Sequence, residues 1–393
     1  MTLPRSRSLI VAGAGIGGLS AALALARANY RALVCERAPS LGESGAGLQL
    51  APNATRALRE IGVLDAIRPH AIEPRALIVL KAESGRELLR ADLGGMEARY
   101  GAPWFTIARA DLHRALADAA EDTADIEIRT GAEVADFADH TRGVTVSVRS
   151  NGGTREELGA ALIGADGLRS NVRARLHGKS APRFHRLAAW RALVPAKNLP
   201  ATMREPVVRL WFARGGHVVQ YPVANFERIN LVLVFPEESE NAESEERSLK
   251  DLPAGCQSWA RPLQDMLAAA PSFRRFALCD RPPLPQWGRG HVTLLGDAAH
   301  PMLPFMAQGA AAAIEDAVAL GRHLRNAEDF SPALRAYESA RAERTARLQA
   351  ASVENGRNYH MNGIRRFARD LLLPRFSGAQ LIARNDWVYR YTC

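Results

Sequence analysis

The sequence is poor in cysteine, with only 4 among its 393 residues. They stand at Cys35, Cys256, Cys279 and Cys393, so no two form a CxxC pair or a zinc-type spacing. This spacing argues against a disulfide reductase, and each thiol is expected to be a small buried hydrophobe or an idle thiol. We therefore expect no metal site and a protein of the reducing cytoplasm.

A long unbroken apolar run is also missing. The uncharged stretch from Leu9 to Ala26 follows a basic N-terminus, as in a signal peptide, and is nearly long enough to span a membrane. However, Gly13, Gly15, Gly17 and Gly18 interrupt it. We therefore predict neither a targeting segment nor a membrane span.

The sequence has no dense basic stripe interleaved with aromatic residues, which make up only 6% of the chain. Its net charge of +9 comes from scattered arginines. Nucleic-acid binding is therefore not expected, whereas a diffuse positive field favours small anionic ligands.

What the sequence does contain is a β-turn-α-β unit at its front. Ser8–Gly13 is a short β-type run, a helix-forming segment follows the GAGIGG turn, and Arg31–Arg37 is a second strand. Gly13, Gly15 and Gly18 fit GxGxxG, and Glu36 ends the second strand where a ribose-binding acid is expected. The pattern predicts a dinucleotide site but does not distinguish NAD from FAD.

Two further stretches end apolar strands. Gly164–Gly167 (GADG) is by itself an ordinary turn. Asp297 follows the strand HVTLLG, and a helix rich in small residues begins near Gly309. Alone, this second stretch is equally compatible with a strand-loop-helix connection that contains a buried acid.

The order of the predicted elements favours an α/β fold with a largely β region inserted between two parts of the first fold. A helix is predicted from Asn53, with that residue as its cap, and a hairpin over Ala76–Leu89. The predicted divisions are a dinucleotide-binding domain over 1–179 (first part, with substrate-side strands around 76–108) and 281–325 (second part), a β-rich substrate domain over 180–280, and a helical region over 326–393.

Taken together, the motifs resemble the ordered signature of single-component flavoprotein aromatic hydroxylases. The quoted motifs are GAGIGG with Glu36-Arg37, Arg109–Leu112 (RADL), Gly164–Gly167 and Leu295–Pro301 (LGDAAHP). The likeness extends from about Ser8 to Tyr389 and is greatest for the branch with salicylate hydroxylase, 3-hydroxybenzoate 6-hydroxylase and 6-hydroxynicotinate 3-monooxygenase. Gln49 departs from the hydroxynicotinate type, which has a histidine there.

The resemblance implies a split Rossmann-type domain that binds FAD. Carried over residue by residue, it implies that FAD is held by Gly13, Gly15, Gly18, Glu36, Arg37, Gly47, Leu48, Gln49, Arg109, Asp166, Gly167, Asp297, Gly309 and Ala310.

It also implies that NADH or NADPH reduces the flavin, and that a C4a-hydroperoxide formed with O₂ hydroxylates a phenolic aromatic acid. A second GxGxxG is absent, which favours transient docking of the nicotinamide. His217 and Tyr221, at i and i+4 of one predicted strand, face the same side and are the candidate proton relay. The candidate substrate contacts are Trp190, Arg191, Trp211, His300, Phe305 and Gln308.

Two alternatives stay open at this point. One is a flavin dehydrogenase or reductase without oxygen transfer, and the other is a non-catalytic FAD-binding protein. A homodimer is a further open expectation.

Overall fold

The computed structural model describes residues 8–42, 46–240 and 246–393. Residues 1–7, where a targeting segment would begin, lie outside these ranges. The strands are β1 (Leu9–Ala12), β2 (Ala32–Cys35), β3 (Gly47–Leu50), β4 (Ala76–Lys81), β5 (Glu87–Asp92), β6 (Phe105–Ala108), β7 (Ile126–Arg129), β8 (Glu133–His140), β9 (Gly143–Ser150), β10 (Gly153–Gly159), β11 (Leu162–Gly164), β12 (Arg183–Pro195), β13 (Val207–Ala213), β14 (Gly216–Val223), β15 (Arg228–Pro236), β16 (Glu246–Arg247), β17 (Phe273–Asp280) and β18 (Val292–Leu294). The helices are α1 (Ile16–Arg27), α2 (Pro52–Glu60), α3 (Leu64–Ile67), α4 (Met96–Tyr100), α5 (Arg109–Glu121), α6 (Asn171–His177), α7 (Arg261–Ala269), α8 (Gly309–Leu324), α9 (Phe330–Tyr359), α10 (Gly363–Leu372), α11 (Gly378–Arg384) and α12 (Asp386–Tyr389).

A parallel sheet of five strands carries the glycine-rich turn. Its order is β18-β11-β1-β2-β7, so β11 lies between the early strand β1 and the late strand β18 and pairs with both. β1, β2, β11 and β18 are wholly buried, as expected for a parallel sheet covered by other elements. Helix α1 packs against both α5 and α8. The predicted α/β fold with a Rossmann-type domain split in sequence is confirmed.

A second sheet of eight strands has the order β16-β17-β12-β15-β14-β13-β4-β5. The hairpin β4–β5 joins it because β4 pairs in parallel with β13, which brings an early part of the chain to the inserted β region. Strand β12 was not predicted from the sequence. Its 13 residues lie between β17 and β15 and pair with both.

The two faces of this second sheet meet different partners. One face forms a core with α7 that includes Trp211, Val218, Leu231 and Leu263. The other face meets the turn before α8 and the long helix α9, where Val234 packs with Phe305. Strand residues alternate between the faces, so register decides which side chains reach the region near α8.

The start of α2 differs from the prediction. Ala51 occupies the N-cap, and Pro52 is the first helical residue, where its fixed φ is favourable and its missing N–H costs nothing. Asn53 therefore does not cap the helix. Its side chain instead donates to Gln308 and Glu315 in the interior.

Charged side chains, all buried, join α8 to α9. Asp316 accepts from His300 Nε2 at 2.6 Å and from Arg341 Nε at 2.7 Å. Glu315 accepts from Arg341 and twice from Arg344, each at 2.7 Å. Burial alone would raise the pKa of Asp316, but the charges of His300 and Arg341 outweigh it and hold the pKa at about 2. We call these five residues the α8–α9 charge network.

Among the helices of the described residues, none combines the length and apolarity needed to cross a bilayer.

The charge network supplies a test of the packing of α8. Arg341→Ala leaves two buried carboxylates without their shared cation, so we expect it to reduce the free energy of unfolding by about 3–5 kcal/mol. Arg384→Ala is the matched control, because it removes an exposed pair with Glu354 and should cost less than about 1 kcal/mol. Urea unfolding measures both, and equal small losses would contradict the assigned role.

Candidate functional site

The three glycines of the first turn have three different surroundings. Gly13 has a φ of +98°, and a Cβ there would lie 2.7 Å from the Ala165 carbonyl oxygen. A Cβ on Gly18 would lie 1.9 Å from the carbonyl oxygen of Gly13, so only glycine lets the helix approach the strand. A Cβ on Gly15 would meet nothing within 4 Å. The first and third glycines therefore shape the turn, and the second leaves backbone open to a ligand.

Glu36 is fixed against this turn. Its carboxylate accepts from the backbone N–H of Ala14 at 2.7 Å and of Ala38 at 2.8 Å. The carboxylate thus stands at the end of β2 beside the open backbone of Gly15. This is the position that a ribose-binding acid requires.

A cavity of about 270 Å³ lies in front of the glycine turn. Residues from five separate stretches line it, which places much of the predicted cofactor set around one space. The predicted residues in its wall are Gly13, Gly15, Glu36, Arg37, Arg109, Asp166 and Gly167.

Asp166 has a structural role in the wall of this cavity. It accepts from Ser170 Oγ at 2.5 Å and from the backbone N–H of Asn171 at 2.7 Å and of Val172 at 3.2 Å. It therefore satisfies the open N–H groups at the start of α6. Gly167 has a φ of +79°, which explains the glycine after the acid.

Another part of the predicted cofactor set begins where β18 ends. Gly296 has a φ of +61° and turns the chain into a short 3-10 segment, Gly296–Ala298. The Asp297 side chain is exposed to solvent, but many protein atoms lie around its carboxyl group. This surrounding protein raises its pKa, while the charges of His300 and Arg109 lower it.

Helix α8 starts with its N-terminus open. No side chain caps it, and a Cβ on Gly309 would come no nearer than 4.0 Å to another atom, Met302 Cγ. The N–H groups of Gly309 and Ala310 have no helical carbonyl to bind, and the helix dipole adds positive potential there. This end of α8 suits an electron-rich ring edge or an anion.

The strand β3 is held against the second sheet. Gly47 N donates to Asn230 Oδ1 at 2.7 Å, and a Cβ there would lie 2.6 Å from the Tyr221 ring. β3 also pairs with β6, which puts Leu48 opposite Ile107 and Gln49 opposite Thr106.

A second cavity, of about 390 Å³, lies between the second sheet and the C-terminal helices. We call it the aromatic pocket, and most of its wall is apolar or aromatic. The predicted residues Gln49, His217, Phe305 and Gln308 line it. Those that the sequence analysis missed include Leu210, Phe212, Asn355, Tyr359, Arg369 and Tyr389.

His217 has a histidine partner that the sequence did not predict. Its Nδ1 lies 2.8 Å from His360 Nε2 at the end of α9, and the rings are stacked. Burial lowers the pKa of His217 well below its usual range and that of His360 to about 4, so both rings are neutral near pH 7. One ring must then donate the N–H and the other must accept it.

Tyr221 lies at a distance from His217, although both face the same side. Four residues of a strand span about 13 Å, so the two side chains cannot touch. Tyr221 packs with Val208 and Val223 near Arg191. Burial raises its pKa, more than Arg191 lowers it, and the phenol stays protonated.

Arg191 is on the same sheet face as Tyr221. Its guanidinium stacks over the Phe276 ring at 5.0 Å. Burial, together with the neighbouring charge of Arg109, lowers its pKa. No carboxylate among the residues that the structure describes forms an ion pair with it.

Three predicted substrate contacts lie elsewhere. Trp190 and Trp211 project from the opposite face of the second sheet into the core beneath α7, so neither can line the aromatic pocket. His300 is buried behind the turn, bonded to Asp316 and packed against Trp287, with ring centroids 5.1 Å apart. It therefore holds the turn and does not border the pocket.

Comparisons with known proteins agree with this geometry. A family profile described as an FAD binding domain matches residues 6–352. The chain is 37% identical to 3-hydroxybenzoate 6-hydroxylase 1 of Aquipseudomonas alcaligenes, with 97% of each chain covered. It is 36% identical to 3-hydroxybenzoate 6-hydroxylase of Polaromonas naphthalenivorans, with 98% of this chain and 96% of that one covered. A crystal structure of a variant of HpxO from Klebsiella pneumoniae, complexed with FAD, matches with a TM-score of 0.87 and 27% identity, covering 98% of each chain.

The chain therefore belongs to the family of FAD-dependent aromatic hydroxylases, and the resemblance predicted from its motifs is confirmed. The residues present fit FAD. The glycine turn leaves open backbone where a pyrophosphate needs it, and the start of α8 has no side-chain cap, so its N–H groups are open to an electron-rich group.

Two single-methyl substitutions separate cofactor binding from folding. We expect Gly15→Ala to weaken FAD binding by at least about tenfold, because the methyl group enters the open space, while the apoprotein keeps its melting temperature. Gly18→Ala should instead lower that temperature, since its Cβ would collide with Gly13. Calorimetry of the apoproteins and FAD titration distinguish the two, and identical behaviour would contradict the assignment.

Proposed function

We propose that the protein uses NADH or NADPH and O₂ to hydroxylate a phenolic aromatic acid in the aromatic pocket. One observation carries this proposal. Gln308 lines the aromatic pocket and also precedes the open N-terminus of α8. The pocket therefore adjoins the helix end at which we propose that the flavin binds.

In this proposal, FAD lies along the cleft from the glycine turn to α8. Gly13, Gly15 and Gly18 would hold the pyrophosphate. The other residues proposed to hold FAD are Glu36, Arg37, Gly47, Leu48, Gln49, Arg109, Asp166, Gly167, Asp297, Gly309 and Ala310. When bound, FAD supplies hydride acceptance from the nicotinamide and activation of O₂.

The pocket itself positions the ring and excludes water. Its walls include Leu210, Phe212 and Phe305, which offer apolar contact to an aromatic substrate. Exclusion of water protects reactive oxygen chemistry from wasteful release of peroxide.

His217 is the proposed base for the substrate hydroxyl. Its Nε2 accepts the proton only when Nδ1 carries hydrogen and donates it to His360 Nε2, at the observed 2.8 Å. His217 acts as a base only in the tautomer in which His360 Nε2 is the acceptor. Tyr221, held as a neutral phenol, serves as a donor at the other end of the same sheet face.

An anionic ring suits the charge of this region. Arg191 forms no ion pair with a carboxylate of the described residues, so its charge is available to an acid group on a ligand. The relatives named as 3-hydroxybenzoate 6-hydroxylases act on such an acid. A hydroxybenzoate is therefore the substrate class that we propose, and Arg191 and Phe305 stay proposed contacts of it.

A cytoplasmic location and a homodimer also stay proposals. Light scattering of the purified protein measures the second directly.

The activity test uses the purified yellow protein. We expect hydroxylated aromatic acids, 3-hydroxybenzoate first, to accelerate oxidation of NADH or NADPH and to gain one oxygen atom by mass spectrometry. Peroxide without a hydroxylated product across a broad panel of aromatic acids would contradict hydroxylation and favour the reductase alternative. A protein that oxidises neither nucleotide would favour the non-catalytic one.

The proposed relay has a separate test. His217→Ala and Tyr221→Phe should each slow single-turnover hydroxylation by about 100-fold while leaving FAD affinity unchanged. His140→Ala, which changes an exposed histidine on β8, is the matched control. Unchanged hydroxylation rates in His217→Ala and Tyr221→Phe would remove both residues from the relay.

A further inference from the structure

A chain of three buried side chains leads from the α8–α9 charge network to the aromatic pocket. Glu315 is its inner end. Burial would raise the pKa of Glu315, but Arg341 and Arg344 outweigh it and lower the pKa. Glu315 is therefore an ionised carboxylate, which accepts hydrogen bonds and donates none.

Asn53 is the middle member. One atom of its amide lies 2.7 Å from Glu315 Oε1 and 2.8 Å from Gln308 Oε1. Only an NH₂ group can bind to the carboxylate, so this atom is Nδ2 by chemistry alone. Both of its hydrogens are used, and Asn53 Oδ1 is left buried without a partner. The amide accepts that loss because the reverse orientation would place an oxygen against a negative charge.

Gln308 is the outer end, and its orientation follows. Asn53 offers it a donor, so Gln308 must present Oε1 inward and Nε2 outward. Gln308 is buried and lines the aromatic pocket, and Nε2 has no hydrogen-bond partner among the described residues. The pocket therefore contains an N–H donor, Gln308 Nε2. Its orientation is fixed by Asn53, which is itself oriented by Glu315.

We propose that Asn53 is a positioning residue that fixes Gln308 as a donor, and that the pocket thereby selects aromatic acids whose ring substituent offers an oxygen acceptor. A hydroxyl or phenolate oxygen accepts from Nε2. An amino group at the same ring position is a much poorer acceptor, because its lone pair is delocalised into the ring. This inference rests on the proposed function, since it concerns the ligand of the same pocket.

The test compares two ligands of equal size on the FAD-loaded protein. Dissociation constants for 3-hydroxybenzoate and 3-aminobenzoate are measured by the change in flavin absorbance and by calorimetry. We expect the protein to prefer the hydroxyl compound by about tenfold, the loss typical of an unmet hydrogen bond. In Asn53→Ala the Gln308 amide is free to turn, and the preference should fall below about threefold with unchanged FAD affinity.

Gln308→Glu provides the second variant and does not depend on how well Asn53→Ala folds. A carboxylate presents only acceptors, to which a hydroxyl and an amino group can both donate, so the preference should fall below about threefold. Thr55→Ala is the matched control, because it truncates a buried polar side chain of the same helix α2. Thr55 Oγ1 bonds to the Pro103 carbonyl at 2.6 Å. It should keep the preference whatever it costs in stability.

The outcomes separate the two levels of the proposal. A native preference that stays unchanged in Asn53→Ala and Gln308→Glu overturns the positioning role alone. Loss of FAD affinity in Asn53→Ala, with the preference intact, overturns it as well and assigns Gln308 to the cofactor. A native protein that binds neither these acids nor their ring isomers overturns the proposed function together with the inference.

Discussion

The α8–α9 charge network is the constraint on which the site depends. Arg341 and Arg344 bind two adjacent carboxylates of α8 in the buried interior. The same helix begins at Gly309 with open N–H groups, and the preceding residue, Gln308, lies in the wall of the aromatic pocket. Buried charges are tolerated only when their partners are well placed, so α8 has little freedom to shift along its axis or to rotate. The charge network thus fixes the position of α8 at the wall of the aromatic pocket.

The two faces of the second sheet have different roles. The face beneath α7 is a closed apolar core, and the opposite face provides His217 and Tyr221 on β14 and Arg191 on β12, with β15 between the two strands. Their spacing is that of the strands, so the polar groups are distributed along the site and are not clustered at one point. A ligand that reaches several of them must itself be extended, as a ring with a charged substituent is.

Local patterns predicted the parts of the fold whose chemistry is local. The turn at Gly13–Gly18, Glu36 and the acid after β18 depend on backbone geometry within a few residues, and the structure places the turn and Glu36 beside one cavity. The positions of Trp190 and Trp211 depend on register, since a shift of one residue moves a side chain to the other face, and no sequence signal fixed that register. His360 and Asn53 were missed as site residues because their partners lie 143 and more than 250 residues away.

The parallel sheet has a consequence for how the protein is made. Strand β11 finds its outer neighbour only in β18, and α8 follows still later in the chain. During synthesis, the glycine turn leaves the ribosome long before the far side of its cleft exists. The nascent chain therefore passes through a stage with an unpaired parallel strand edge, a surface prone to association. In the binding mode that we propose, FAD can bind across these segments only after α8 has been synthesised, and it would then join two distant parts of one chain.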